Sequence, residues 1–324
     1  MNIIWVAWQK WPRNMWITKA LGVKLYEIDN PGKLRYLLNI IDTIKILNEN
    51  RPLIVIAMFP SIFLTLFLLA LKPKYRFKLV VDLHTIIADF HSHKSLKQKF
   101  ISRIYNLIFI YLLKKVEMII VTNEGYKSKI LRINRNVFVL PDNIPNYIEP
   151  EKVNLEGTFN ILYICSYSQD EPYEEILGLD NKLEKNIRIY VTGDYKKSRI
   201  KIEKQKYNKI IFAGYLSDED YVKILYSVDA SIVLTNYENC LVCGAYESIA
   251  AGTPLILSNK KALRNYFFKG VVYTENDKES ILKAINIVKK SKEKYSYQIK
   301  ELRDELNNNY NRKINKIITS LKCL

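Results

Sequence analysis

Apolar residues in this chain gather in short unbroken runs with amphipathic or polar stretches between them. In the first half the runs are NIIWVA (2–7), KLYEI (24–28), LIVIAM (53–58), KLVVDL (78–83), MIIVT (118–122) and VFVLP (137–141). Helical patterns fall between them: one from WPRNMW to Gly22, then 33–49, 61–71, 95–115 and 126–132. Strands made of continuous β-branched runs, alternating with helices, predict a parallel sheet covered on both faces. Residues 141–157, PDNIPNYIEPEKVNLEG, break the pattern with three prolines and no period, and read as a linker. The alternation then restarts. FNILYICS (159–166), RIYVTG (188–193), KIIFAG (209–214), ASIVLT (230–235), PLILS (254–258) and GVVYT (270–274) are the strands. The intervening helices are 171–183, 218–229, 242–251, 262–267 and 277–292, and a last helix covers 297–321. The chain therefore divides into an N-terminal domain (1–145), a second domain (146–296) and a C-terminal helix (297–324). Its 324 residues suit two cores better than one.

PLIVIAMFPSIFLTLFLLAL (52–71) is uncharged and long enough to span a bilayer. It also reads as a buried strand, a turn at Phe59-Pro60-Ser61 and a buried helix capped by Ser61, followed by the strand KLVVDL of a βαβ unit. The N-terminus lacks the layout of a signal peptide.

Charge is uneven. Residues 1–150 carry 22 Lys+Arg against 10 Asp+Glu, and 151–324 carry 28 against 23, so the halves stand at +12 and +5. A basic first half points to an anionic partner. Within it, KSLKQKFISRIYNLIFIYLLKK (94–115) has basic residues at 94, 97, 99 and 103 and bulky apolar residues after them, a pattern that can lie on an anionic membrane. The alternative is a core helix with a basic end. The Lys/Arg do not form aromatic-interleaved basic strands, so nucleic acid is disfavoured. Cys165, Cys240, Cys243 and Cys323 are too few for a disulfide framework and fit a reducing compartment. Cys240 and Cys243 have no second pair and no nearby His, and His91 and His93 have no acidic or thiol partner at ligand spacing, so no metal site is expected. Asp218-Glu219-Asp220 reads as acids at a helix start. No G-x-G-x-x-G follows a strand, which disfavours NAD.

The stretch YENCLVCGAYESIAAGTP (237–254) carries the most chemistry. Glu238 and Glu247 are nine residues apart, on opposite sides of an ideal helix. Glu238 then belongs to the loop after 230–235 and Glu247 to the helix. Between them the backbone N–H groups around Cys240, Leu241, Val242 and Gly244 form a helix start suited to phosphate. The alternative is that Glu238 caps the helix and Glu247 is a surface residue. Gly193 ends a strand, where a glycine lets backbone approach a diphosphate, and Lys196, Lys197 or Arg199 could neutralise it. His84 follows the strand 78–83, with Asp82 or the backbone available to orient it.

Two consecutive doubly wound units resemble the GT-B architecture, two Rossmann-like parallel-sheet domains facing a central cleft. Glu247-Ser-Ile-Ala-Ala-Gly-Thr-Pro254 resembles the donor-site motif of family 4 retaining glycosyltransferases (glycosyl transferases group 1), in which Glu, seven residues and Glu precede a small-residue helix and Gly-x-Pro. The resemblance implies that Glu247 holds the ribose hydroxyls of a nucleotide. It also implies that the first Glu faces the donor sugar. Here eight residues separate Glu238 from Glu247, and the family spacing falls on Asn239, so either residue can take that place. DLHT (82–85), VTNEGYKSKIL (121–131), VLPDNIP (139–145), CSYSQDEP (165–172), VTGDYKK (191–197) and AGYLSDEDY (213–221) resemble, in order, transferases acting on surface or lipid-linked sugars. That likeness implies a role for His84 near donor sugar and phosphate. The Arg and Lys that the family carries after the first strand of the second domain are replaced by Ser166-Tyr167-Ser168-Gln169-Asp170, leaving Ser166 and Ser168 to donate hydrogen bonds.

The resemblance implies a retaining, metal-independent glycosyltransferase with a nucleotide-sugar donor, a glycan or lipid-linked hydroxyl acceptor, and no cofactor. Its place would be the cytoplasm, peripheral at the inner face of the cell membrane. The alternatives are a degenerate GT-B subunit that binds anionic lipid or a partner, and a GT-B nucleotide-sugar epimerase.

Overall fold

The computed structural model describes residues 2–59, 61–84 and 96–324, the side chains of 96–102 excepted. His91, His93 and Lys94, and the side chains of Lys97 and Lys99, lie outside the described residues, as does Pro60. The chain forms two compact units, Met1–Asp142 with Tyr310–Leu324, and Asn143–Asn309. By unit, the first holds 26 Lys+Arg and 9 Asp+Glu and the second 24 of each, so the whole net charge of +17 sits on the first.

In the first unit β1 (Ile3–Ala7), β2 (Lys24–Glu27), β3 (Ile54–Phe59), β4 (Lys78–Leu83), β5 (Met118–Val121) and β6 (Val137–Val139) form a parallel sheet in the order β2-β1-β3-β4-β5-β6. Alternate residues enter two cores, which is why the strands are apolar throughout. Ile4, Val6, Val55, Ala57, Leu79 and Val81 pack with α2 (Arg35–Asn50), α3 (Ile62–Tyr75), α4 (Leu96–Lys115) and α5 (Glu124–Ile130). Trp5, Ala7, Ile56, Val80 and Ile120 pack with α1 (Pro12–Leu21) and with Tyr310, Ile314, Ile317 and Leu321 of the last helix, α11 (Lys292–Lys322). Residues 52–71 divide between β3 and α3. Ser61 caps α3, its Oγ accepting from the Leu64 N–H at 3.3 Å. Among the described residues no helix is long and apolar enough to cross a membrane.

The second unit repeats the plan with β7 (Phe159–Tyr163), β8 (Ile187–Thr192), β9 (Ile210–Gly214), β10 (Ala230–Val233), β11 (Leu255–Ser258) and β12 (Val271–Thr274), all parallel, in the order β12-β11-β10-β7-β8-β9. The helices are α6 (Tyr173–Leu177), α7 (Asp218–Ser227), α8 (Cys243–Ala251), α9 (Lys261–Tyr266) and α10 (Lys278–Lys290). Residues 140–158 contain no helix or strand.

Two elements differ from the sequence pattern. The helix expected over 171–183 is only Tyr173–Leu177, because Gly178 follows it and Asp180 turns away to accept the N–H groups of Asn208, Lys209 and Ile210. The last helix begins at Lys292 rather than 297. Nothing between Ser291 and Tyr297 breaks a helix, and α11 holds Ile299, Leu302 and Leu306 in the core of the second unit.

Candidate active site

Open parallel sheets bind ligands beyond the carboxyl ends of the strands, where the strand order reverses. In the second unit that point lies between β7 and β10. The loops leaving these strands, 164–172 and 234–242, are tied together there. Thr235 Oγ1 donates to Asp170 Oδ2 (2.5 Å), and the Asn236 N–H donates to the Asp170 carbonyl (2.8 Å). A Cβ on Gly193, at the end of β8, would lie 2.3 Å from the Cys165 carbonyl oxygen, and its φ of +86° is left-handed. Gly193 therefore serves the close approach of two chain segments. Gly244 acts likewise: a Cβ there would meet Ile164 at 2.9 Å, so its absence lets the first turn of α8 sit against the end of β7.

Glu247 is in the middle of α8, half-buried among the buried Ala245, Tyr246, Ser248 and Ile249. It accepts a short hydrogen bond from the Tyr221 hydroxyl of α7. Burial pushes the Glu247 carboxyl above its ordinary range, Asp218 adds to this, and the Tyr221 bond opposes it. It is thus not a surface residue, and among the described residues it has the Tyr221 bond and no ion pair.

Glu238 and Asn239 form a turn in the loop before α8. Glu238 does not cap the helix. The N-cap is Val242, with no side-chain hydrogen bond, and Glu238 pairs with Lys260 at 3.1 Å while its carbonyl accepts from Ala262 N–H (3.3 Å). Cys240, Leu241 and Val242 lead up to α8, with Leu241 and Val242 packed against the core and Cys243 exposed. Within the first turn the Ala245 N–H donates to the Val242 carbonyl (3.1 Å), and the turn presents the positive end of the helix dipole.

The loop after β7 has an arrangement that spacing did not reveal. Tyr167 has a left-handed φ of +61°, so the N–H groups of Ser166 and Ser168 converge. The Glu171 carboxylate fills that nest. It accepts from Ser166 N–H (2.9 Å), Ser168 N–H (2.9 Å) and Ser166 Oγ (3.1 Å), and Ser168 Oγ donates to Asp170 (2.6 Å). In this structure both serines are therefore occupied within their own loop. Arg199 is occupied too: its guanidinium donates to the carbonyls of Gln169 and Glu171 and to Glu174, and stacks on Tyr173. It clasps the loop rather than standing free for a phosphate. Lys196 and Lys197 are exposed on a short 3-10 turn (Tyr195–Lys197) capped by Asp194.

In the first unit, His84 follows β4 and stacks on Trp11 with ring centroids 5.8 Å apart. Burial lowers its pKa, with Asp82 opposing and Arg13 assisting. Asp82 does not orient it. Both Asp82 oxygens are held at 2.9 Å by the buried Arg13, which also donates to Asp142 (2.5 Å) and to the Leu140 carbonyl (2.9 Å). His84 Nδ1 has no hydrogen-bond partner among the described residues. No group of three or more His, Cys, Asp or Glu able to hold a metal ion occurs among them either.

Residues 154–305, nearly all of the second unit, match the family described as Glycosyl transferases group 1. Solved structures share the fold. Sucrose-phosphate synthase from Thermosynechococcus elongatus superposes with a TM-score of 0.75 at 13% identity, over 93% of this chain and 84% of that one. HepE from Anabaena, in complex with UDP, gives 0.74 at 12% identity over 100% of both chains. The lipopolysaccharide outer core galactosyltransferase WaaB gives 0.64 at 15% identity over 99% of both. No curated protein matches the chain in sequence. The fold is GT-B, and the second unit carries the match to Glycosyl transferases group 1, which together with these neighbours marks the protein as a nucleotide-sugar glycosyltransferase.

Of the residues singled out in the sequence, the second unit sets Gly193 against Cys165 and Ser166 and the start of α8, at Gly244, against Ile164, while Glu247 meets Tyr221. Glu238 is turned toward α9. Sequence reasoning missed Tyr221, Glu171, Lys260, Arg13 and Trp11. Tyr221 and Glu171 lie inside the stretches 213–221 and 165–172; Tyr221, Lys260, Arg13 and Trp11 act on segments distant in the chain, whereas Glu171 acts within its own loop.

Proposed function

We propose that the protein transfers a sugar from a nucleotide-sugar to a hydroxyl acceptor, with retention of anomeric configuration and without a metal ion. The observation that carries the proposal is Glu247, a half-buried carboxylate held by Tyr221 in α8, the helix that follows β10 in the unit whose sequence matches the family. A carboxylate with free lone pairs accepts two vicinal ribose hydroxyls. The N–H groups at the start of α8, with Cys240, Leu241, Val242 and Gly244, receive the diphosphate and stabilise its charge as the sugar leaves. Lys196 and Lys197 add positive charge after β8. Asn239 or Glu238 faces the donor sugar, Glu238 with its carboxylate paired to Lys260. His84, poor in protons because it is buried, acts at the reacting sugar. HepE was also solved with UDP-glucose, which supports a nucleotide-sugar donor.

The acceptor is a glycan or a lipid-linked sugar reached at an anionic membrane, and the protein works in the cytoplasm at the inner membrane face. Support for this is the charge of the first unit and a count of four cysteines, too few for a disulfide framework.

The test is nucleotide-sugar hydrolysis with a panel of donors, on wild type, Glu247→Ala, Asn239→Ala and Glu238→Ala. Glu247→Ala should weaken donor binding about 10–100-fold, the worth of hydrogen bonds to a charged group. Whichever of Asn239→Ala and Glu238→Ala reduces turnover more marks the residue that faces the sugar. Full activity in Glu247→Ala, or no nucleotide binding by wild type, overturns the reading. The anomer formed, followed by NMR, tests retention, and activity after exhaustive chelation tests metal independence.

A further inference from the structure

The outer faces of α2 and α3 are built the wrong way round for a helix facing water. On α2 the buried line is Asn39, Thr43 and Leu47, while Leu34 just before it and Leu37, Leu38 and Ile41 on it are exposed, Leu34 by 64% and Leu37 by 53%. The inward polar groups are satisfied. Trp8 Nε1 donates to Thr43 Oγ1 (3.0 Å), Thr43 Oγ1 donates to the Asn39 carbonyl (2.7 Å), and Asn30 Nδ2 donates to Asn39 Oδ1 (3.0 Å). The outward leucines of the first turns of α2 therefore belong to its settled state, while Ile40, Ile46 and Leu47 pack inward. Its neighbour α3 has no charged residue from Ile62 to Leu71 and is apolar all round, yet it buries only one side. Leu64 and Leu68 enter the core, and Phe63 (58% exposed) and Leu66 point outward. A helix apolar all round is expected to be covered on all sides. The two exposed faces are continuous, with the rings of Tyr36 and Phe63 5.3 Å apart. Exposed Lys33 and Arg35 stand at the start of α2, the latter over the Tyr36 ring, and Lys74 and Arg76 at the end of α3.

We propose that this α2–α3 face docks on an anionic lipid bilayer, the apolar side chains entering the headgroup boundary and the flanking cations meeting lipid phosphates. Charge chooses the occupant. The unit that bears the patch carries the entire +17 of the chain, so a second copy would set two strongly positive units face to face, whereas an anionic leaflet is attracted. Nucleic acid offers no apolar layer for leucines. The inference rests on the reading that the acceptor is reached at an anionic membrane, and it moves the contact from α4 to α2 and α3.

The test is co-sedimentation of the full chain with phosphatidylcholine vesicles with and without about 30% phosphatidylglycerol, which sets the negative surface potential. Two double variants are compared, Leu37→Ser with Phe63→Ser on the patch, and Leu107→Ser with Tyr111→Ser on the exposed side of α4. Wild type should partition onto the anionic vesicles only, less so with added salt. The α2–α3 variant should lose roughly tenfold in partition while the α4 variant keeps it. The inference is overturned if wild type ignores anionic vesicles, if the α2–α3 variant binds like wild type, if only the α4 variant loses binding, or if light scattering shows the patch substitutions splitting a dimer. Nucleotide-sugar hydrolysis in solution is measured on the same preparations and should be unchanged in both variants. Its absence in wild type would strike the catalytic proposal and leave the docking result standing.

Discussion

Glu247 has a pH signature that follows from its surroundings. Burial raises its pKa, so the folded protein holds that proton more tightly than the unfolded chain does. Its ionisation therefore lowers stability as pH rises through the folded pKa, while supplying the charged acceptor that ribose hydroxyls need. Affinity for a nucleoside diphosphate should fall on acidification at a pH above the ordinary Glu value of about 4.3. Calorimetry across that range should show the fall in wild type and a flat profile in Glu247→Gln. A second test concerns Glu171, whose carboxylate occupies the nest of Ser166 and Ser168. In Glu171→Gln that nest no longer holds a negative charge. Nucleoside diphosphate affinity should rise a few-fold, on the order of 1 kcal/mol for a local charge at exposed amides. Titration of both proteins checks it.

Elements meet at the site through missing side chains. Gly193 and Gly244 allow β8 and α8 to close on the end of β7. Gly193→Ala must carry a left-handed backbone, at about 1–3 kcal/mol, and also push the Cys165 carbonyl away. A lower melting temperature by circular dichroism together with weaker nucleotide binding is expected. Ser61→Ala should remove about 1 kcal/mol with no effect on nucleotide binding, since it only caps α3. The elements themselves were largely legible. Continuous β-branched runs give parallel strands wherever helices cover both faces, and the acids at 218–220 do open α7. The helix over 171–183 was not legible as it is, because its second half is drawn off by Asp180 binding a loop some thirty residues later.

At the scale of the molecule, one buried arginine joins distant parts of the first unit: Arg13, Asp82, Leu140 and Asp142. Removing one partner of a buried ion pair leaves an uncompensated charge. Arg13→Met should destabilise the first unit by roughly 3–5 kcal/mol. All four tryptophans, Trp5, Trp8, Trp11 and Trp16, lie in that unit, so urea denaturation followed by tryptophan fluorescence reads it directly. By itself the sequence determined the two doubly wound units, the basic bias of the first half and the candidacy of Glu247, because hydrophobic period, composition and a contiguous motif are local properties of the chain. Tertiary structure alone decided that Tyr221 holds Glu247, that Lys260 takes Glu238, that Arg13 rather than His84 claims Asp82, and that the leucines of α2 face outward. Each of these depends on which side chains meet across a folded sheet, and no local pattern records that.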